Sequence, residues 1–93
     1  MAAIEVFVPV AATRTTTLPL APRRLALDGA RIGWLDNLKA NAGALLDGIA
    51  ARLTAAGHAG EAVRVSKNAT AAAPDAVMAH LRTCDAVVLA IAD

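Results

Sequence analysis

The sequence predicts a small α/β domain built on a parallel sheet. After residue 29, three short apolar segments alternate with two segments of helical periodicity, and the last apolar segment, residues 86–92, is apolar throughout. Strands that alternate with helices form parallel sheets through right-handed crossovers. A continuously apolar strand is covered on both faces and lies centrally. We therefore predict a three-layer, flavodoxin-like or Rossmann-like domain with strand order 2-1-3 counted from Ala30, preceded by an N-terminal edge strand.

The N-terminal residues predict an edge strand and a linker. Residues 4–10, IEVFVPV, are rich in β-branched side chains, but Pro9 cannot donate to a sheet ladder and confines the segment to an edge or a strand end. The alternative is an arm exchanged with a second subunit. Residues 11–29 contain three consecutive threonines, two prolines and the turn pair Asp28-Gly29, which predict a linker or lid without helix. The chain thus divides into residues 1–29 and a parallel α/β domain of residues 30–93.

The first half of that domain predicts a strand and a helix. Residues 30–35 have strand character, and Gly33 within them indicates that another element packs closely there. Five apolar side chains then recur at helical spacing and share one face: Ala42, Leu45, Leu46, Ile49 and Leu53. Gly57 ends this helix.

The second half predicts strand, helix and strand. Residues 61–65 alternate valine with arginine, as a strand does. Pro74 and Asp75 suit the first turn of a second helix. Three apolar residues form its inner face: Val77, Met78 and Leu81. The last strand runs to Asp93 without a crossover, so we expect that a second subunit covers its outer edge or that the domain is incomplete and continues.

Composition and charge disfavour several functional classes. Nine basic and eight acidic residues are scattered and give a formal charge of +1, and the chain has no Tyr, one Phe and one Trp. With neither a basic patch nor stacking aromatics, we expect no binding to nucleic acid or membrane. Glu5 interrupts the N-terminal apolar run, which argues against a signal peptide. A single cysteine cannot form an internal disulfide, which fits a reducing compartment, so we expect a cytoplasmic protein. The alanine-rich core buries little apolar area and a partner chain would stabilise it, so we expect a homo-oligomer.

Polar side chains follow each predicted strand. We expect eight of them to share one crevice, because the carboxyl ends of parallel strands lie at the same edge of a sheet: Asp36, Asn37, Lys39, Asn41, Ser66, Lys67, Asn68 and Asp93. The lysines and the amino end of the first helix suit a small anionic or electrophilic substrate. The alternative is that Asn37 or Asn41 caps the helix and Lys39 is only solvated. No glycine-rich phosphate loop is present, and the sequence identifies no cofactor and no metal site.

The sequence predicts structural roles for four other side chains. Cys84 precedes the last strand and so lies at the opposite end from the crevice, which favours a buried structural thiol over a nucleophile. His58 is expected to be solvated in a turn. His80 is placed near the end of the second helix, where a positive charge is favourable. Trp34 is expected in the core.

The domain contains the runs LDGARIGWLDNLKANAGALLDGIAARL, VSKNATAAAP and CDAVVLAIAD, which resemble the UGSC family of bacterial and archaeal proteins. The resemblance spans residues 27–93 and is most specific at Asp36-Asn37, Lys39 and Asn41, although Ala40 stands where such proteins often have proline. The family is named for a motif, selenocysteine (or cysteine)-Gly-Ser-Cys, that directly follows the strand corresponding to residues 86–93. This chain ends one residue short of the motif.

The resemblance implies a thiol or selenol redox enzyme, or an enzyme that attacks an electrophilic substrate. Asn37, Lys39 and Asn41 would orient substrate or stabilise charge, and the second motif cysteine would resolve an oxidised intermediate. This chain would then hold no catalytic residue and be inactive alone. A recoded UGA codon, taken as a stop, is one hypothesis for its ending. Two other functions stay open: a non-catalytic module for small anionic ligands, and a dimerising structural fragment.

Overall fold

Three strands and two helices alternate along the chain, within the residues 2–13 and 16–92 that the computed structural model describes. In chain order they are β1 (Ile32–Asp36), α1 (Ala42–Ala55), β2 (Ala62–Ser66), α2 (Asp75–Leu81) and β3 (Ala86–Ala90). Both β2 and β3 pair with β1 in parallel, which gives the order β2-β1-β3. The predicted α/β class and strand order are confirmed.

Helix α1 covers one face of the sheet. Ile32 and Trp34 of β1 are buried with Leu46 of α1, so Trp34 is a core residue, as predicted. Leu45, predicted on the apolar face of α1, is instead 49% exposed. Leu45 lies at the margin of the apolar face of α1, because the residues that contact the core are centred on Leu46 and continue to Leu53.

Helix α2 covers the opposite face. Neighbouring residues of a strand point to opposite sides of a sheet, so Gly33 faces away from α1. A Cβ atom on Gly33 would lie 2.9 Å from Leu81 Cδ2 and 3.1 Å from Cys84 Sγ. The close approach predicted at Gly33 is confirmed, and the end of α2 is the element that makes it. The two helices therefore enclose the sheet in three layers.

Strand β3 lies at the edge of the sheet, which corrects the prediction that the last strand lies centrally, and it is open on the α2 side. Val87 is 41% exposed and Leu89 is 59% exposed, so the prediction that β3 is covered on both faces is wrong for this chain. The physical reason is the placement of α2, which packs on β2 at the other edge. A continuously apolar strand is present, but only its α1 side is buried.

The N-terminal segment lies apart from the sheet. Residues 4–10 form no strand, which corrects the prediction of an N-terminal edge strand. All described residues from 2 to 20 are exposed, and the long axis of the molecule reaches 72 Å against 31 and 28 Å for the other two. The segment therefore has no neighbouring strand with which to pair. As predicted, the described residues between 11 and 29 contain no helix.

Candidate functional site

The carboxyl ends of the three strands are joined by backbone hydrogen bonds. Lys67 N, just after β2, donates to Asp36 O at 2.9 Å, and Asn37 N, just after β1, donates to Ala90 O of β3 at 3.0 Å. The structure thus brings the loops that follow β1 and β2 together at the carboxyl end of the sheet, next to the residues that follow β3. The eighth predicted site residue, Asp93, lies outside the described residues.

Asn37 connects the centre of this edge to the chain that leaves β3. It is 9% exposed and is the one buried polar side chain among the described residues. Its Nδ2 donates to Ile91 O at 2.6 Å, while its Oδ1 accepts from Lys39 N at 3.3 Å. Asn37 is therefore not a helix cap. It holds the residue after β3 against the loop that carries Lys39.

The loop between β1 and α1 has an unusual backbone. Leu38 and Asn41 both adopt left-handed φ angles, of 63° and 68°. Asparagine tolerates this conformation, but leucine pays roughly 1–2 kcal/mol for it. Asp36 Oδ1 offsets part of that cost by accepting from Leu38 N at 2.8 Å. Backbone strain of this kind is concentrated at ligand sites in proteins, and here it lies at Leu38, within the loop.

Asn41 stands at the N-cap position of α1 but makes no side-chain cap hydrogen bond. The alternative in which Asn37 or Asn41 caps the helix is therefore not observed. The exposed amide of Asn41 lies at the amino end of α1, where helix N–H groups carry a partial positive charge. Lys39, which is half-buried, lies two residues earlier in the same loop.

Arg64 of β2 is a site residue that the sequence analysis did not identify. Its Nη1 donates to Asp47 Oδ1 of α1 at 2.8 Å, and its Nη2 lies 3.7 Å from Asp36 Oδ2. The guanidinium thus links β2 to α1 next to the strained loop. The register pairs Arg64 with Trp34, so both point towards α1. The alternation of Val63, Arg64 and Val65 was the available signal.

The residues after β2 organise their own turn. Lys67 Nζ donates to the carbonyl oxygens of Asn68 and Ala71 at 2.8 and 2.7 Å. Asn68 Oδ1 accepts from both N and Oγ1 of Thr70. Ser66 is exposed beside them and pairs in register with Asp36. The turn lies at the carboxyl end of the sheet, as predicted. The Lys67 ammonium group and the Asn68 side-chain oxygen, however, form hydrogen bonds within the turn itself.

The amino end of the sheet is held by interactions between charged side chains. Asp85, just before β3, accepts from Arg31 N at 2.8 Å and forms an ion pair with Arg24 at 2.9 Å. Arg31 also pairs with Glu61. The described linker residues 21–27 lie beside the start of β3, away from the strained loop.

Two singled-out side chains lie at this amino end. His58, expected to be solvated, is half-buried, and its Nε2 donates to Ala30 O at 3.1 Å. Gly60 also approaches Ala30 O closely, and a Cβ atom on Gly60 would lie 3.0 Å from His58 Cε1, so the turn with His58 packs against Ala30. Cys84 packs on Gly33 and is half-buried rather than buried. Its place at the end opposite the polar loops is as predicted.

Neither a metal-binding cluster nor a membrane-spanning helix occurs among the described residues. No group of three or more His, Cys, Asp or Glu residues there could hold a metal ion. None of the helices in that part of the chain has the length and apolar character needed to cross a membrane.

Comparison with known proteins gives one match. The sequence model of the UGSC family matches residues 5–93, so it includes N-terminal residues that the resemblance from residues 27–93 left out. No curated protein and no solved structure matches the chain.

Proposed function

This chain belongs to the UGSC family, and on that premise we propose that its domain is the substrate-binding part of a thiol- or selenol-dependent redox protein. The observation that carries the proposal is the hydrogen bond from Asn37 Nδ2 to Ile91 O. It holds the chain leaving β3 against the loop with Asp36 and Lys39. The motif that names the family follows this strand, and a reactive group there would emerge beside that loop.

The loop offers an environment that favours an anion. The amino end of the fourteen-residue helix α1 carries a partial positive charge, and Lys39 adds a cation nearby. A thiolate is the reactive form of cysteine, and such surroundings favour it over the thiol. Asn37 and Asn41 are proposed to orient the substrate. Cys84 is excluded from this role because it lies at the amino end of the sheet.

The proposed chemistry is exchange with a disulfide or a comparable electrophile. A motif thiolate or selenolate attacks one sulfur of the substrate, and the other substrate sulfur leaves as a thiolate. The second motif cysteine then attacks the mixed bond and releases the remaining substrate thiol. The substrate gains two electrons, the two motif residues lose them and become joined, and an external dithiol returns the electrons.

A second candidate function is binding of a small anionic ligand without catalysis. The observation that favours it is that the strained loop, Asn37, Lys39 and the amino end of α1 all belong to this chain. The single cysteine of these 93 residues, Cys84, lies at the other end of the sheet. A carboxylate or phosphate group is the ligand chemistry that such a loop suits.

Thermal shift measurements test the binding step shared by both functions. We expect millimolar inorganic phosphate or a small carboxylate to raise the Tm of the wild-type chain, because a ligand that binds only the folded state stabilises it. Lys39→Gln should abolish the shift. Arg52→Gln, which removes one cation in the last turn of α1, is the matched control and should retain it. Equal shifts in both variants, or none in the wild type, contradict the proposal.

Alkylation tests the redox function separately. The family motif Cys-Gly-Ser-Cys is appended after Asp93 in a Cys84→Ala background, and its reaction with iodoacetamide at neutral pH is followed. We expect faster alkylation than for the free tetrapeptide, because the loop stabilises the thiolate. Lys39→Gln should slow it. A rate equal to that of the free peptide rejects the redox function and leaves the binding module.

A further inference from the structure

The outer edge of β3 presents unpaired backbone groups. Within the described residues β3 pairs with β1 alone. Ala90 O accepts from Asn37 N on the β1 side, so Ala86, Val88 and Ala90 direct their backbone groups inward. The N–H and C=O groups of Val87 and Leu89 consequently point outward. The side chains of the same two residues are the exposed apolar ones, so backbone and side chains together form an open edge.

This edge borders a groove of about 380 Å³. The linker forms its other wall with Pro22 and Leu27, while Ala86 and Val87 form the wall on the strand. The Arg24 to Asp85 ion pair fixes the linker there. The groove leaves space beside the start of the strand.

The N-terminal arm, residues 4–10, has the complementary properties. Its apolar side chains are all exposed: Ile4, Val6, Phe7, Val8 and Val10. The arm is nevertheless part of the family unit, since the match to the UGSC family begins at residue 5. An apolar, β-branched segment projecting from its own domain exposes surface that soluble proteins normally cover.

We propose that the arm of one copy adds as a fourth strand to the open β3 edge of a second copy, in a reciprocal dimer. Residues 4–10 are all exposed and none of them pairs with the sheet of its own chain, so a second molecule is the occupant that the geometry favours. Twofold symmetry then uses both arms and covers the outer β3 edge of both copies. This interface does not depend on the proposed function.

Pro9 fixes which arm residues bond to β3. A proline in an added strand must have its nitrogen on the side away from the ladder. The backbone N–H and C=O groups of successive residues point to opposite sides of a strand, so those of Glu5 and Phe7 point away from β3, on the same side as the Pro9 nitrogen. Val6 and Val8 therefore exchange hydrogen bonds with the outward groups of Val87 and Leu89, and Val8 O gives up the bond that it accepts from Val10 N within the free arm.

Sedimentation velocity of the 93-residue chain tests the dimer. We expect a species of twice 9.4 kDa at micromolar to submillimolar concentration. Val6→Pro removes a ladder donor and should raise the dimer Kd by roughly tenfold or more, whereas Glu5→Pro, whose nitrogen faces away, should change it little. Residue 6 is exposed in the single copy, so circular dichroism should show an unchanged fold. A monomeric wild type overturns the proposal, as does equal dimerisation of both variants.

Mixing distinguishes arm exchange from direct pairing of two β3 edges. Leu89→Lys places a charge on the edge and should prevent self-association, whereas Leu45→Lys on α1, at similar exposure, should not. A Val6→Pro copy retains its edge, and a Leu89→Lys copy retains its arm. In a mixture, the arm of the Leu89→Lys copy should therefore bind the β3 edge of the Val6→Pro copy and form a heterodimer that has one of the two contacts. Absence of the heterodimer, with dimers of Val6→Pro alone, rejects the arm as the occupant.

Discussion

The two ends of the sheet use their polar residues in different ways. At the amino end, charged side chains bind one another or the backbone, as Asp85 does with Arg24 and with Arg31 N. At the carboxyl end, Asp36 and Asn37 hold a loop in which Leu38 and Asn41 have left-handed backbone. The first arrangement holds elements together, whereas the second maintains a strained loop next to the exit of β3. This difference is the basis of our proposal that the carboxyl end binds the ligand.

The largest expected effect is at the amino end, where packing dominates. A Cβ atom on Gly60 would lie 2.0 Å from Ala30 O, and a backbone atom cannot move aside cheaply. Gly60→Ala should lower the free energy of unfolding by about 3 kcal/mol, measured by urea denaturation. Gly48→Ala in α1, with no atom within 4 Å, is the control and should stabilise by about 0.5–1 kcal/mol. Similar behaviour of both variants contradicts the close packing of this end.

A smaller loss is expected at the carboxyl end from Asn37→Ala. The change removes the bond to Ile91 O and should cost about 1–2 kcal/mol, because a partly buried carbonyl loses its donor. Hydrogen exchange of the amides of residues 91 and 92 should become faster. Asn68→Ala, in an exposed turn, should leave both quantities nearly unchanged. Unchanged exchange in Asn37→Ala would show that the exit of β3 is held by other contacts.

The smallest expected effect is from Arg64→Met. Its two ion pairs are partly exposed, so screening limits the loss to about 0.5–1 kcal/mol, and added salt should reduce the difference from wild type. Arg82→Met, exposed at the end of α2, serves as the control for removing a surface cation. A salt-independent loss of several kcal/mol would instead indicate that the stem of Arg64 is a packing residue.

The sequence predicted the elements and the shared edge, because periodicity and glycine placement depend on local physics. It placed Trp34 in the core and predicted a close approach at Gly33, and the structure identifies the end of α2 as the element that approaches. It could not predict that β3 would be open, since a strand covered by another molecule has the same apolar letters as one covered by its own chain. The arm failed as an edge strand for a related reason: β propensity needs a partner edge.

Individual site residues were harder to predict than their common location. Asn37 was assigned to the correct edge, but its bond to Ile91 O depends on an atom 54 positions away. Arg64 was overlooked because the alternation of valine and arginine indicates a strand but not the carboxylates that the arginine contacts, and its contact with Asp36 depends on the pairing of β2 with β1. Lys67 was expected to face a ligand, and only the turn geometry shows that its ammonium group binds neighbouring carbonyls.

Amide chemical-shift mapping of the full chain during a phosphate titration tests most directly which end of the sheet binds an anion. We predict saturable shifts at residues 37–43, where the strained loop meets the amino end of α1, and little change at residues 24–31, 58–61 and 85. Shifts centred on the arginines of the amino end, or no saturable shift anywhere, would contradict the assignment.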